Sequence, residues 1–316
     1  MDETCAPWHA GEQAAQAHVG LPRERMDEIG RRALRAEMSQ QHRDFFPRLP
    51  FVVLGGVARD GSPQATLLAG PAPGFVTALD PVTLRIEALP PIGDPLAALI
   101  EPGAAVAVLG IELATRRRNR ENGVVAARDT RGFTVSVRQS FGNCPKYIQA
   151  RVVVPWSHAP APGAPRLSER LDPEMAALAT AADTFFIATH VAAIRADGGA
   201  DVSHRGGRPG FLRIADDGRT LTWPDFVGNY FFNTFGNLLV DPRAGLVIPD
   251  FSTGDLLHLV GRAAITWDGP EVDAFDGAQR LVSLRVEQAL LRPAALPFRM
   301  QLVEPSPMLA GTGTWR

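Results

Sequence analysis

Ser203 and Arg205 stand two residues apart in the run Asp201-Val202-Ser203-His204-Arg205-Gly206-Gly207, so on an extended strand they share a face. His204 points the other way, toward a structural or rim role, and the two glycines admit close approach by backbone. Further on, Gly228 and Asn229 precede a stretch, residues 230–240, that reads as a helix stopped by Asp241-Pro242. The free N–H groups and dipole at such a start attract an anion. Asn229, Asn233 and Asn237 recur every four residues, on one helical face where amides can donate, although Asn229 reads equally well as a cap. A hydroxyl, a guanidinium and orphan N–H groups converging on one point are what a terminal phosphate needs. A second run, Phe141-Gly142-Asn143-Cys144-Pro145-Lys146-Tyr147, supplies an amide, a thiol, an ammonium and a phenol.

The elements that must position these groups come in two copies. Pro73-Gly74-Phe75-Val76 recurs as Pro209-Gly210-Phe211-Leu212, Ile100-Glu101-Pro102-Gly103 as Val240-Asp241-Pro242-Arg243, and Gly123-Val124-Val125 as Gly261-Arg262-Ala263. Phe45-Phe46, Val52-Val53-Leu54 and Asp60-Gly61 align with Phe185-Phe186, Val191-Ala192-Ala193 and Asp197-Gly198. Order kept from end to end marks a duplication. Residues 51–57 and 106–109 are apolar and β-branched, 134–137 alternate in period 2, and Asp60-Gly61 and Asp217-Gly218 are hairpin turns. Each unit therefore reads as mainly β with one short helix, 230–240 in the second and 94–100 in the first, forming a small Greek-key barrel. Residues 26–43 read as an added amphipathic helix. The expected organisation is a helical extension over 1–43, a barrel over 44–154, a Pro-, Ala- and Gly-rich linker over 155–170, a second barrel over 171–304 and a tail over 305–316.

Bulk properties narrow the partners. At 316 residues the chain is about two domains long. With 45% apolar and 21% charged residues, a packed fold is expected. A formal net charge of −2 gives no global field for nucleic acid or an anionic membrane, so phosphate recognition has to be local. Cys5 and Cys144 make no disulfide framework, the N-terminus is acidic, and no apolar run reaches a membrane-spanning length; a cytoplasmic protein is expected. Arg116-Arg117-Arg118-Asn119-Arg120 reads as an exposed loop or edge-strand guard, and His9 and Glu12 as solvated.

Several runs, taken in order, resemble the pyridoxamine 5′-phosphate oxidase-like family of FMN-binding split barrels. They are residues 201–211, Trp223-Pro224-Asp225-Phe226-Val227-Gly228-Asn229, Asn237-Leu238-Leu239-Val240-Asp241-Pro242-Arg243, residues 259–263 and residues 141–149. More narrowly, the chain is similar to the double-barrel module that in some bacterial proteins precedes a ferredoxin-reductase-like flavin and iron–sulfur portion, whose members begin with a His-x-Gly-Glu element like His9-Ala10-Gly11-Glu12.

The resemblance implies a flavin lying between two barrels, here within one chain as an intramolecular pseudo-dimer. It implies Ser203, Arg205, Gly206, Asp225, Gly228, Asn229, Asn233 and Asn143 as cofactor-binding residues, and Cys144, Lys146 and Tyr147 as catalytic candidates. Lys146 would stabilise an anionic reduced flavin; Cys144 is either a thiol near the ring or a small residue in a Pro-bounded turn. Thr66-Leu67-Leu68 stands where the second unit has Ser203-His204-Arg205, and Leu290-Leu291-Arg292-Pro293 where the first has Phe141-Gly142-Asn143-Cys144. One complete site and one blank, hence one flavin per chain, is the expectation. Relatives often carry arginines where this chain has Phe231 and Gly236, with Arg243 and Arg262 as candidate replacements. The implied activity is that of an FMN-dependent oxidoreductase serving a small-molecule substrate or an electron-transfer partner, as a monomer or homodimer. FMN is preferred over FAD, the deazaflavin F420 or haem because the cradle suits a terminal phosphate. The alternatives are a flavin or haem carrier without turnover and a degenerate barrel that docks a separate reductase.

Overall fold

The structure is a computed structural model and describes residues 7–154, 156, 160–191 and 199–315. Three helices come first: α1 (Ala10–His18), α2 (Arg23–Ala33) and α3 (Gln40–Phe45). Seven strands follow: β1 (Phe51–Val57), β2 (Pro63–Ala69), β3 (Val76–Asp80), β4 (Thr83–Ile86), β5 (Ala105–Glu112), β6 (Arg117–Arg128) and β7 (Phe133–Gly142). Then β8 (Ala150–Val154), β9 (Arg166–Ser168) and α4 (Pro173–Ala181) lead to β10 (Thr184–Val191), β11 (Gly199–Gly206), β12 (Arg213–Ile214) and β13 (Thr220–Phe226). The chain continues through α5 (Asn233–Val240), β14 (Arg243–Pro249), β15 (Leu256–Thr266), α6 (Pro270–Asp273), β16 (Ala278–Arg292) and β17 (Arg299–Glu304).

The two large sheets repeat one strand order, β2-β1-β5-β6-β7-β4-β3 and β11-β10-β14-β15-β16-β13-β12. The chain is thus two tandem split β-barrels. Even the irregularities recur: the ladder slips at Gly123 on β6 and at Gly261 on β15. A Cβ at either position would lie 2.0 Å from the backbone oxygen of Ser136 or Arg285.

Strands buried on both faces divide their side chains between two cores, because successive residues point to opposite sides. On β1, Val52 and Leu54 enter the first barrel while Phe51 and Val53 face the seam between the barrels. On β10, Phe185 and Ile187 enter the second barrel, and Phe186 and Ala188 meet Phe51, Val53 and Leu109 in the seam. Full burial of each such side chain stabilises by about 1.5–3 kcal/mol, so the seam is a third core.

Register corrects part of the repeat alignment. Val53 lies opposite Leu109 as Phe186 lies opposite Val247, so Phe185-Phe186 matches Val52-Val53. Phe45 and Phe46 sit in and just after α3, over the first barrel's core. The aligned residues Ala192, Ala193, Asp197 and Gly198 lie outside the described residues. Three helix expectations also change. Residues 26–43 split into α2 and α3 around Arg35, whose backbone bridges Ser140. Residues 94–100 form turns, in which the Asp94 carboxylate accepts from the Leu96 N–H at 2.9 Å. And α5 begins only at Asn233, since Tyr230 and Phe232 adopt φ near +60°, which a right-handed helix cannot contain. The stretch read as a linker contributes β9, which pairs with β16.

His258 on β15 joins the barrels: its buried Nδ1 bonds the Ala65 carbonyl oxygen of β2 at 3.0 Å. Burial pushes this imidazole from 6.5 down to about 4. The unfolded chain therefore takes up the proton first as pH falls. Stability should be whole above pH 6.5 and drop progressively toward pH 4, by up to about 3 kcal/mol from this one group. Urea melts across that range check this, with His258→Asn expected to flatten the slope and an unchanged slope counting against it.

Candidate functional site

The site grows from two strands of different barrels that face one another. Period 2 sets Arg118, Arg120 and Asn122 along one face of β6, and Asp201, Ser203 and Arg205 along one face of β11. Arg120, 2% exposed, pairs with the Asp201 carboxylate and donates to Ser203 Oγ at 2.7 Å. Thr234, near the start of α5, donates to the same Ser203 oxygen at 3.1 Å. Asp225 on β13 lies between two cations, with Arg280 Nη1 at 2.9 Å and Arg205 Nε at 3.6 Å. The rings of Phe232 and Phe235 support these guanidiniums, the Arg280 centre lying 4.9 Å and 5.3 Å from them and that of Arg205 5.8 Å from Phe235.

The loop after β7 closes the other side. Arg118 Nε donates to the Cys144 carbonyl at 2.7 Å, and the Asn143 N–H to the Arg118 carbonyl at 3.1 Å. Tyr147, at φ +63°, turns its own carbonyl against Gly206, where a Cβ would stand 2.1 Å from that oxygen. Gly206 is thus what lets the first barrel's loop touch the second barrel's strand. Lys146 Nζ and Tyr147 Oη both approach the Val227 carbonyl, at 3.4 and 3.3 Å, and the Tyr147 ring packs 5.1 Å from Phe226.

Together these side chains line a cleft of about 110 Å³. Ser203, Arg205, Gly206, Asp225, Gly228, Asn229 and Asn233 meet Asn143, Cys144, Lys146 and Tyr147 there. Arg118, Arg120, His204, Thr234 and Arg280 also line it. The run Arg116–Arg120 is therefore not simply an exposed guard: a strand in period 2 sends Arg118 and Arg120 inward and leaves Arg117 exposed. That alternation was the available signal, hidden because an arginine stands on both faces.

Five cations in the cleft face two carboxylates, Asp225 and the Asp201 behind Arg120. Burial, reinforced by Arg120 and Arg205, pushes Arg118 down to about 9. That cost would be relieved by an anion. Burial raises Asp225 and lowers Arg280, so each charge is held by the other. Burial and the neighbouring arginines hold His204 well below 6.5, so it is neutral, and its Nε2 has no hydrogen-bond partner among the described residues. Burial, then Asp225, pushes Tyr147 up to about 12, so its phenol remains a donor.

The asparagines behave differently from expectation. Asn229 precedes α5 and accepts from the Phe231 N–H at 3.2 Å in a local turn. Asn233 donates to Glu12 at 2.6 Å, while Asn237 donates to Thr189 at 2.9 Å and lies 2.9 Å from His9 Nε2. His9 and Glu12 are not solvated; they form a capping box on α1 and dock it on α5. A Cβ on Gly11 would stand 2.1 Å from the Gly236 oxygen, so these glycines set the helix contact. Arg243 clamps Asp241 and the Asp60 carbonyl, and Arg262 is exposed; neither lines the cleft.

A larger chamber of about 530 Å³ continues along the same strand faces. It shares Asn233 with the cleft and is lined by Asn122, Gln139, Asp201, His9 and Glu12, with Val137, Val191 and Ala200 as apolar wall. Its volume falls within the roughly 300–1,000 Å³ of small-molecule sites. Among the described residues, no group of His, Cys, Asp or Glu is placed to hold a metal ion, and no helix is long and apolar enough to cross a membrane.

Fold and cleft together define a tandem split-barrel protein with a basic cleft in its seam. No protein-family model and no curated relative matches the sequence. Several solved structures are similar to parts of the chain. A putative pyridoxamine 5′-phosphate oxidase from Lactobacillus delbrueckii is 16% identical over 39% of this chain and 94% of its own, with a TM-score of 0.30. A FAD-binding protein from Mesorhizobium loti is 10% identical over 40% and 97%, with a TM-score of 0.27. The haem storage protein HutZ from Vibrio cholerae is 16% identical over 39% and 95%, with a TM-score of 0.26.

The two cleft glycines should differ in their tolerance of alanine. Gly206→Ala forces its Cβ onto the Tyr147 carbonyl and should destabilise by about 1–3 kcal/mol in denaturant melts. Gly228→Ala, with nothing within 4 Å of the new carbon, should stay within about 0.5 kcal/mol of the parent.

Proposed function

We propose that this chain binds one FMN, its phosphate in the basic cleft and its larger part in the adjoining chamber, and passes electrons between a small molecule or partner protein and that flavin. The observation that carries the reading is the surplus of cations at the cleft, with Arg118 held by a carbonyl only among the contacts described. A phosphate with nearly two negative charges would match that surplus, and Ser203 and Thr234 line the same cleft. The cleft is too small for a whole flavin, whereas the chamber continuing from it is of ligand size.

Flavin supplies hydride and single-electron chemistry when bound; the residues supply position and electrostatics. Arg118 and Arg205 would hold the phosphate, with Asp225, paired to Arg280, beside Arg205 to keep it aimed. Lys146 brings a positive charge and Tyr147 a protonated phenol to the first barrel's wall. Two thiols without a disulfide framework suit a reducing cytoplasm. The tightness of the cleft favours, as a second reading, a flavin carrier without turnover, which oxidation of NAD(P)H by the loaded protein would exclude.

Titration with FMN, FAD and riboflavin, followed by quenching of flavin fluorescence, tests the reading. FMN should bind at one per chain and riboflavin at least about 100-fold more weakly, for loss of charge-assisted bonds worth about 1.5–3 kcal/mol each. Arg118→Gln and Arg205→Gln should each weaken FMN by about 10- to 100-fold and leave riboflavin unchanged. Equal affinity for riboflavin and FMN would sink the proposal.

A further inference from the structure

The barrels are duplicates, so the cleft has a counterpart on the other side of the pseudo-twofold axis. Thr66 lies opposite Leu54 on β1 as Ser203 lies opposite Ile187 on β10. His258 lies opposite Val247 as Arg120 lies opposite Leu109. Arg292 pairs with Leu256 on β15, and Asn143 bonds the equivalent backbone at Arg118. Asp94 bonds Thr66 as Thr234 bonds Ser203.

At this counterpart the chain supplies the anion itself. One oxygen of Asp94 accepts from Thr66 Oγ1 at 2.5 Å and from Arg292 Nη1 at 2.5 Å, and the other from the Leu96 N–H at 2.9 Å. A hydroxyl, a guanidinium and a backbone N–H around one carboxylate make a donor set of the kind that holds a bound oxyanion. The Asp94 side chain is 1% exposed and that of Arg292 8%. His258, held neutral by burial, has an Nε2 without a hydrogen-bond partner among the described residues.

We propose that Asp94 is a built-in anion that fills the first repeat's counterpart of the cleft, and that removing its carboxylate uncovers a second, buried oxyanion site on Thr66, Arg292 and the Leu96 N–H. The chain would then have one open anion site because the other is occupied by its own side chain. This holds whatever the ligand of the open cleft is, since it rests on the duplicated geometry alone.

The test uses the full chain and inorganic phosphate as the probe. Asp94→Thr installs the residue type found at Thr234 and leaves Arg292 unpaired. In chloride this variant should melt below the parent. In excess phosphate at equal ionic strength its melting temperature should recover by about 5 °C more than the parent's does. Calorimetric titration should show one more phosphate per chain than the parent binds. That extra phosphate should survive Arg205→Gln, which alters only the open cleft, and vanish in Asp94→Thr with Arg292→Asn. The proposal is overturned if Asp94→Thr binds no more phosphate than the parent, if it fails to fold in phosphate as in chloride, or if the extra phosphate persists without Arg292.

Discussion

Guanidiniums drawn from both barrels are held side by side at the seam, and their mutual repulsion has to be offset for the barrels to close. Arg118 and Arg120 come from β6, Arg205 and Arg280 from β11 and β16. Burying charge costs several kcal/mol per ion unless it is paired, and like charges add to that cost. Asp201 offsets Arg120, and Asp225 serves Arg205 and Arg280. Among the described residues Arg118 is left with a backbone carbonyl, and it lines the cleft with the other cations. The apolar seam of Phe51, Phe186, Leu109 and Val247 supplies the burial that keeps these cations together. Stability and anion affinity are thus opposed: the charge that strains the cleft is what an anion would relieve.

The same duplicated framework resolves the strain in two ways. On one side the second barrel keeps hydroxyls and arginines and leaves room; on the other, Asp94 and Arg292 close on Thr66. A symmetric ancestor with two equivalent clefts, losing one by substitution, would leave this pattern. α1 reinforces the asymmetry, since Gly11 against Gly236 brings Glu12 and His9 onto Asn233 and Asn237 on the open side. Asn233 is thereby fixed at the boundary between cleft and chamber, and Asn237 on the chamber wall.

Much of the fold was legible because period 2 and turn chemistry are local. Residues 51–57 read as a strand and form β1, and Asp60-Gly61 and Asp217-Gly218 make their hairpins. The matching of Thr66-Leu67-Leu68 to Ser203-His204-Arg205 agrees with the observed registers. Local signals failed where tertiary contacts decide. Positive φ at Tyr230 and Phe232 delays α5, so the three asparagines do not share one helix: Asn229 closes a local turn before it, while Asn233 and Asn237 meet α1 arriving from the N-terminus. Arg118 and Arg120 were hidden by charged neighbours on the opposite face, and Asp94 by a helix-like pattern whose start is tied down by Arg292, far away in sequence.

A crystal structure of the chain grown with FMN addresses the central claim most directly. The account expects the phosphate within hydrogen-bond distance of Arg118 and Arg205, beside Ser203, with the ring beyond Asn233 in the chamber. Arg118 and Arg205 turned to carboxylates of the chain itself, with FMN elsewhere or absent at saturating concentration, would contradict it.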